Sequence, residues 1–339
     1  MKQLTIAIPA YNAEAYLRKC LESMSGLDGR LEIIVINDGS TDGTEAIAKE
    51  FAERSNDIRL ISKPNGGHGS AINTAIRNAN GRYFKVIDAD DWIVSENLKP
   101  LLDTLERTEV DAVITGYHTV DMKNGKVRAY SSECKYTGQE IGLNELSEVY
   151  ESIPSCFSFH GLCYRTEMYR DSGLQLSEGI FYEDQEYAIL PFAHIDSVFI
   201  SPLYFYEYLI GRADQSVSFA SQVRNLDHIE RVITRILDER AMLQPLPDTV
   251  DQYFLKKLAV VVVSYYAVAL VKNPDKKAGR ADAQRFERIL QEREPVLLEM
   301  TAKKRRTLRI MNRLHLSPRL YQWLHDTPMY GWFKRIWVN

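Results

Sequence analysis

The first hundred residues keep a strict beat of short apolar runs and amphipathic stretches. "LTIAI" (4–8), "LEIIVI" (31–36), "IRLIS" (58–62) and "YFKVI" (83–87) read as strands. Between them lie three helical patterns: "AEAYLRKCLESM" (13–24), the stretch after "DGSTDGT", and "GSAINTAIRNA" (69–79). The first places Leu17, Cys20, Leu21 and Met24 on one face, and the second has an N-cap candidate in Thr41 or Asp42. The strand runs are almost continuously apolar, as expected of parallel strands covered on both faces. Alternating strands and helices predict a doubly wound α/β domain, a mostly parallel sheet with helices on both faces. Ligands in such sheets bind beyond the carboxyl ends of the strands.

The beat then changes. "DAVITGYHTVDMKNGKVRAYSS" reads as a strand pair turning at Lys123-Asn124-Gly125-Lys126, an Asn-Gly hairpin signal. Residues 140–215 mix short helices and strands. From about 220 the pattern is helical, with breaks at "PLP" (245–247), "NPDKKAG" (273–279) and "SP" (317–318), so a boundary is expected near 215–220.

A chain of 339 residues is long enough for one large domain or two ordinary ones. Its net charge of −4 argues against nucleic-acid binding as the main activity. The start, "MKQLTIAIPAYNAE", turns polar too early for a secretory leader. Cys20, Cys134, Cys156 and Cys163 form no Cys-x-x-Cys pair, so reduced cysteines and a cytoplasmic setting are expected. The longest apolar run, residues 258–271, is fourteen residues between two lysines. That is short of the roughly 20 residues of a membrane span, and a buried helix is expected.

Three polar segments follow predicted strands: "PAYNAE", "NDGSTDGT" and "DADDW". The fold brings them to one edge. Asp88, Asp90 and Asp91 fall within four positions. Two readings stand: a surface turn before the next helix, or a divalent-cation site built on carboxylate oxygens. An EF-hand loop starting at Asp88 is excluded, because it would need glycine at Ile93 and an acid at Lys99. "NGGHGSAI" (65–72) follows a strand and opens a helix, so its N–H groups can face an anion, or it is simply a tight glycine turn. Gly67-x-Gly69 imitates a dinucleotide fingerprint, but Ile72 occupies the third glycine position and the segment follows the third strand.

Taken together, "AIPAYNAEAYLRKCLESM", "IIVINDGSTDGT", "PNGGHGSAINTAI" and "GRYFKVIDADDW" resemble the family 2 glycosyltransferases of the GT-A fold, in family order over residues 1–110. "GIFYEDQEYAILPF" (179–192) resembles the family's Glu-Asp motif and "YLIGRADQSVS" (208–218) its Arg…Ser stretch. The resemblance implies a catalytic domain over 1–217, with a nucleotide-binding half (1–110) and an acceptor half (111–217), followed by a helical region over 218–339. It implies that Pro9, Tyr11 and Glu14 frame a nucleoside pocket and that Asp38 reads the base. Gly67 would contact the donor, Asp88 would lie near the ribose, and Asp90 with Asp91 would hold Mn²⁺ or Mg²⁺. Asn37 stands where family members commonly carry aspartate. Asp184, beside Glu183, resembles the catalytic base; a solvated acidic helix start is the plainer reading of "YEDQEY". His160 is either an acceptor-pocket residue or a core histidine, and Arg212 either a diphosphate partner or a surface arginine.

The implied activity is inverting transfer of a hexosyl or N-acetylhexosaminyl unit. It runs from a nucleotide-sugar, a UDP-sugar by family, to a glycan or lipid-linked glycan acceptor in cell-surface or exopolysaccharide synthesis. A nucleotidyltransferase and a non-catalytic nucleotide-sugar-binding protein are the alternatives. "PAYNAEAY" lacks the basic glycine-rich loop usual in the first of these. Residues 300–325 carry seven lysines and arginines and no acid, and aromatics including Trp323, Trp332 and Trp337 follow in the chain. Either this is a peripheral segment at the inner face of a membrane, or it is a solvated helix face with a packed tail.

Overall fold

A computed structural model describes residues 2–24, 29–211 and 219–316. The chain divides into two compact units, Met1–Arg212 with Leu243–Tyr253, and Ala213–Met242 with Phe254–Asn339.

The first unit opens with β1 (Leu4–Ala10), α1 (Leu17–Glu22), β2 (Leu31–Asn37), α2 (Thr44–Arg54), β3 (Ile58–Ser62), α3 (His68–Asn78) and β4 (Tyr83–Val86). It continues with β5 (Trp92–Ile93), α4 (Leu98–Arg107), β6 (Ala112–Asp121), β7 (Val127–Tyr130), β8 (Glu140–Gly142) and α5 (Leu146–Ser152). Then come β9 (Leu162–Arg165), α6 (Thr166–Asp171), α7 (Asp184–Ile189) and β10 (Ser197–Ile210). The strands form one sheet in the order β3-β2-β1-β4-β9-β6-β10-β5, with β7 on β6 and β8 on β10.

The first four strands are all parallel, and the order reverses between β1 and β4, the usual position of a ligand crevice. Beyond β4 the sheet is mixed: β9 runs antiparallel to both β4 and β6, while β6 and β10 are parallel. The apolar runs of β1 and β2 are buried at every position, and α3 packs against both strands. Each such isoleucine or valine contributes about 1.5–3 kcal/mol of burial. Pro9 lies past the last β1–β4 pair, Ala7–Val86, where its missing N–H interrupts no paired rung of that ladder. The hairpin expected around Asn124-Gly125 is β6–β7, with Gly125 at φ +67°. Lys85 is a buried lysine inside β4. It donates to the carbonyls of His160 and Leu162, and burial lowers its ammonium to about 8.

The second unit contains α8 (Phe219–Arg224), α9 (Leu226–Met242), most of α10 (Asp248–Ala267), a π-helical turn (Val268–Lys272), α11 (Lys276–Arg293) and α12 (Pro295–Arg313). The apolar run of 258–271 occupies α10 and the π turn. By length and composition the helix over Asp248–Lys272 can cross a membrane, but 67% of its apolar window is buried inside the protein. The π turn leaves the Leu270 carbonyl to the buried amide of Asn312, at 2.6 Å. Gly279 lets α11 cross that turn, since a Cβ there would collide with the Ala269 carbonyl. All four cysteines are free.

Candidate active site

The loops after β1 and β2 are stitched by side chains that cap one another. Asn12, at φ +49°, accepts from Thr41 N–H at 2.8 Å, and its own N–H donates to Ser40 Oγ. Glu14 Oε2 accepts from Gly43 N–H at 2.9 Å, at the start of α2. Asp42 accepts from Thr44 N–H at 3.0 Å in the turn leading into α2, whose cap is Gly43 and not Thr41 or Asp42 as expected. Asn37 uses both ends of its amide, donating to Ser62 Oγ and accepting from Ser40 N–H. An aspartate could supply only the acceptor. Tyr11 stands out from this rim, 55% exposed.

Asp38 is buried, and its carboxylate organises the segment after β3. Oδ1 accepts from Lys63 Nζ at 2.6 Å and from Gly66 N–H at 3.0 Å; Oδ2 accepts from Gly67 N–H at 2.8 Å. A carboxylate has about four acceptor directions, so one remains, on Oδ2. Gly67 takes φ +86°, and a Cβ there would press on the backbone of Gly179. One residue pair on, a Cβ at Gly69 would collide with the Ser177 carbonyl. The glycines therefore let the 177–179 segment lie directly against the start of α3, and Gly179 N–H donates to the Gly66 carbonyl.

That approach delivers the Glu183–Asp184 turn to the aspartate cluster. His68, the first residue of α3, joins the two. Its Nε2 lies 2.8 Å from Asp88 Oδ1 and its Nδ1 lies 2.6 Å from Glu183 Oε1. Burial alone would lower the imidazole, but Asp88 and Glu183 raise it well above its ordinary value. Two carboxylates at hydrogen-bond distance call for a donor on each ring nitrogen. The residue before the turn, Tyr182, holds φ +74°, an unfavourable conformation for a bulky side chain. Glu183 is 4% exposed and its Oε2 has no hydrogen-bond partner among the described residues.

Asp88, Asp90 and Asp91 bring a carboxylate oxygen each within 4.8 Å of one another. Asp88 and Asp90 are half-buried. Asp91 is buried, and β10 holds it: Tyr206 donates to Oδ2 at 2.6 Å and Leu209 N–H to Oδ1 at 2.7 Å. Tyr206 Oη also accepts from Asp88 N–H at 3.1 Å, so one phenol pins both ends of the turn. Burial, then Asp90 and Asp88, raise the Asp91 carboxyl well above the usual range, against its two hydrogen bonds. This donor set, three crowded hard oxygens, fits Mg²⁺ or Mn²⁺.

His160 lies within a stack of rings. Tyr130 stacks on Tyr117 at 4.6 Å, Tyr117 on His160 at 5.1 Å, and His160 on Tyr208 at 4.3 Å. Burial lowers its imidazole to about 4. Burial, and then the charges of Asp91, Asp88, Asp184 and Asp90, push the Tyr208 phenol above its ordinary value. Arg212 lies outside the described residues.

The structure thus brings Glu14, Asp38, Gly67, Asp88, Asp90, Asp91 and Glu183, with Pro9 near the end of β1 and Asp184 at the start of α7, to one edge of the sheet. The sequence reading gave no role to His68, Tyr206 or Tyr208. The signal for His68 was present: a ring directly after a glycine pair, at a helix start beside the strand edge. The tyrosines offered only alternation along β10.

Residues 5–169 match the model of the family described as Glycosyl transferase family 2. Glycosyltransferase GlyA of Streptococcus pneumoniae is 36% identical over 124 residues, 36% of this chain and 18% of that protein. The putative glycosyltransferase EpsH of Bacillus subtilis is 32% identical over 209 residues, 60% of each. The matches therefore span less than two thirds of these relatives. Among solved structures, S. aureus TarS 1–349 in complex with UDP-GlcNAc superposes with a TM-score of 0.63 at 20% identity, covering 92% of both chains. A mannosyltransferase from Pyrobaculum calidifontis, in complex with GDP-Man and Mn²⁺, gives 0.50 at 16% identity over 96% of this chain and 88% of that one. Residues 5–169 therefore form a glycosyl transferase family 2 domain, and the fold is of the GT-A type.

Proposed function

We propose that the protein transfers a sugar, with inversion, from a nucleotide-sugar to a hydroxyl of a glycan or lipid-linked glycan. The observation that carries this reading is the convergence of the Asp88–Asp91 cluster and the Glu183–Asp184 turn on the two nitrogens of His68. Pro9, Tyr11, Glu14, Asp38 and Gly67 form the nucleoside side. The remaining acceptor direction of Asp38 suits the imide N–H of uracil, and the TarS complex with UDP-GlcNAc supports a UDP-sugar. Asp90, with Asp88, would hold Mg²⁺ or Mn²⁺; Asp91, committed to β10, keeps their turn in place. The cation would offset the charge that the diphosphate gains on leaving.

As the bond from the anomeric carbon to the diphosphate breaks and the acceptor oxygen bonds the opposite face, Asp184 takes the acceptor's proton. Glu183, held by His68, presents its unpartnered Oε2 to a substrate hydroxyl. His160 and Tyr208 supply flat ring surface beside the acceptor. Arg212 would pair with the diphosphate. The setting is the cytoplasm, and a lipid-linked acceptor would bring the enzyme to the inner face of a membrane. The cell-surface or exopolysaccharide role rests on the family resemblance alone. The test is a screen of nucleotide-sugars with Mn²⁺ for release of nucleoside diphosphate. Turnover of a UDP-sugar, lost with a chelator, is expected; no turnover of any donor contradicts the reading.

A further inference from the structure

α12 is amphipathic on two sides. Leu297, Leu298, Thr301, Arg305, Leu308 and Asn312 are buried within the helical unit. On the opposite side, Val296, Met300, Lys303, Thr307, Ile310 and Leu314 recur at steps of four, three, four, three and four, the spacing of one helix face. Leu314 continues the helical path by donating to the Ile310 carbonyl. Val296 is 42% exposed, Met300 46%, Ile310 38% and Leu314 65%. Large exposed apolar side chains are otherwise scattered singly over the described residues, so their alignment here is a built stripe.

Cations flank it. Lys304 falls on one side of the stripe, Arg306 and Arg313 on the other, and Lys303 within it; all four are exposed. Arg305 and Arg309 are spent on Glu287. Among the described residues no carboxylate pairs with Lys303, Lys304, Arg306 or Arg313, and Glu299 is the helix's only acid. Arg313 and Arg309 also border, with Arg280, Asn312 and Glu287, an open basin of about 320 Å³ beside the stripe.

We propose that this face of α12 lies on an anionic lipid bilayer, with the apolar stripe in the headgroup boundary and the cations against lipid phosphates. The stripe runs about 27 Å at 1.5 Å per residue, the form of an interfacial helix. A second copy of the chain fits less well, because pairing this face with itself would set the same unpaired cations against one another. The surface is argued from α12 alone and does not depend on the glycosyl-transfer reading.

The test is co-sedimentation of the full chain with vesicles of phosphatidylglycerol and phosphatidylcholine, against phosphatidylcholine alone. Binding is expected to the anionic vesicles only, and to weaken with salt. Lys303→Glu with Lys304→Glu and Arg306→Glu should reduce partitioning at least about tenfold. Ile310→Asn with Leu314→Asn should do so as well, with melting temperature and donor hydrolysis unchanged for both. Failure of the wild type to bind anionic vesicles at low salt overturns the proposal. Equal binding by the wild type and both variants overturns it too, as does self-association abolished by Leu314→Asn without vesicle binding.

Discussion

Two sets of carboxylates share one edge of the sheet, and they are treated in opposite ways. Asp38 and Glu14, after β2 and β1, have donors waiting: an ammonium and two backbone N–H groups for Asp38, a helix-start N–H for Glu14. Asp88, Asp90 and Asp91 are set against one another, and Glu183 is buried with one oxygen unpartnered. The first set is satisfied, and its contribution is to shape. The second is held in place by Tyr206, Leu209 and His68, where, on the proposed reading, a cation and substrate would meet it. On the proposed reading, stability rests mainly on the first set and bond-making chemistry on the second.

The contrast breaks most sharply at Asp184 and Asp90. Asp184→Asn should cut transfer by about 10²–10⁴-fold while sparing donor affinity measured by calorimetry. Asp90→Asn should cost at least about a hundredfold in turnover with Mn²⁺. It should also leave the melting temperature of the metal-free protein close to that of the wild type. A large loss of stability there would assign Asp90 to the satisfied set.

Asp38→Ala should show the reverse. It strands Lys63 and two N–H groups, and the loss of stability should be about 3 kcal/mol by chemical denaturation. A variant as stable as the wild type would mean that the 63–67 turn does not depend on this carboxylate. His68 joins two members of the second set. Removing it abandons both Asp88 and Glu183, and each hydrogen bond to a charged group is worth about 1.5–3 kcal/mol. His68→Ala should lower kcat more than it raises the KM for donor, and His68→Gln should recover part of the loss. An effect confined to KM would make His68 a donor contact alone.

The smallest effect belongs to His160. Its imidazole in the folded protein is depressed to about 4, against an ordinary value of about 6.5 in the unfolded chain. As pH falls from about 6.5 towards 4, the unfolded chain takes up a proton that the folded one resists, so stability is lost over that window. His160→Phe keeps a ring in the stack and should flatten the melting temperature between those pH values. An unchanged slope would show that other groups carry the acid sensitivity.

How much of this was legible depended on the length scale of each signal. The parallel β3-β2-β1-β4 half was readable because its apolar runs are continuous and its helices amphipathic, both local patterns. The mixed half was only partly so: the β6–β7 hairpin showed at Asn124-Gly125, but β9 inserts between β4 and β6 through antiparallel pairs that no local period encodes, and β5 and β8 are only two and three residues long. Asp88 to Asp91 announced themselves by crowding within four positions. His68 reaches partners twenty and 115 residues away, so its bridging is a product of tertiary structure. The exposure of the α12 stripe was hidden for a similar reason, since both faces of that helix carry apolar residues and only packing decides which one is covered.

The central claim is that the carboxylates around Asp90 are arranged for a divalent cation shared with a nucleoside diphosphate. Calorimetric titration of Mn²⁺ into the protein with UDP present tests it most directly, with Asp90→Asn alongside. One Mn²⁺ per chain in the wild type and none in the variant is the predicted result. Equal Mn²⁺ binding by both proteins, or no binding by either, would contradict it.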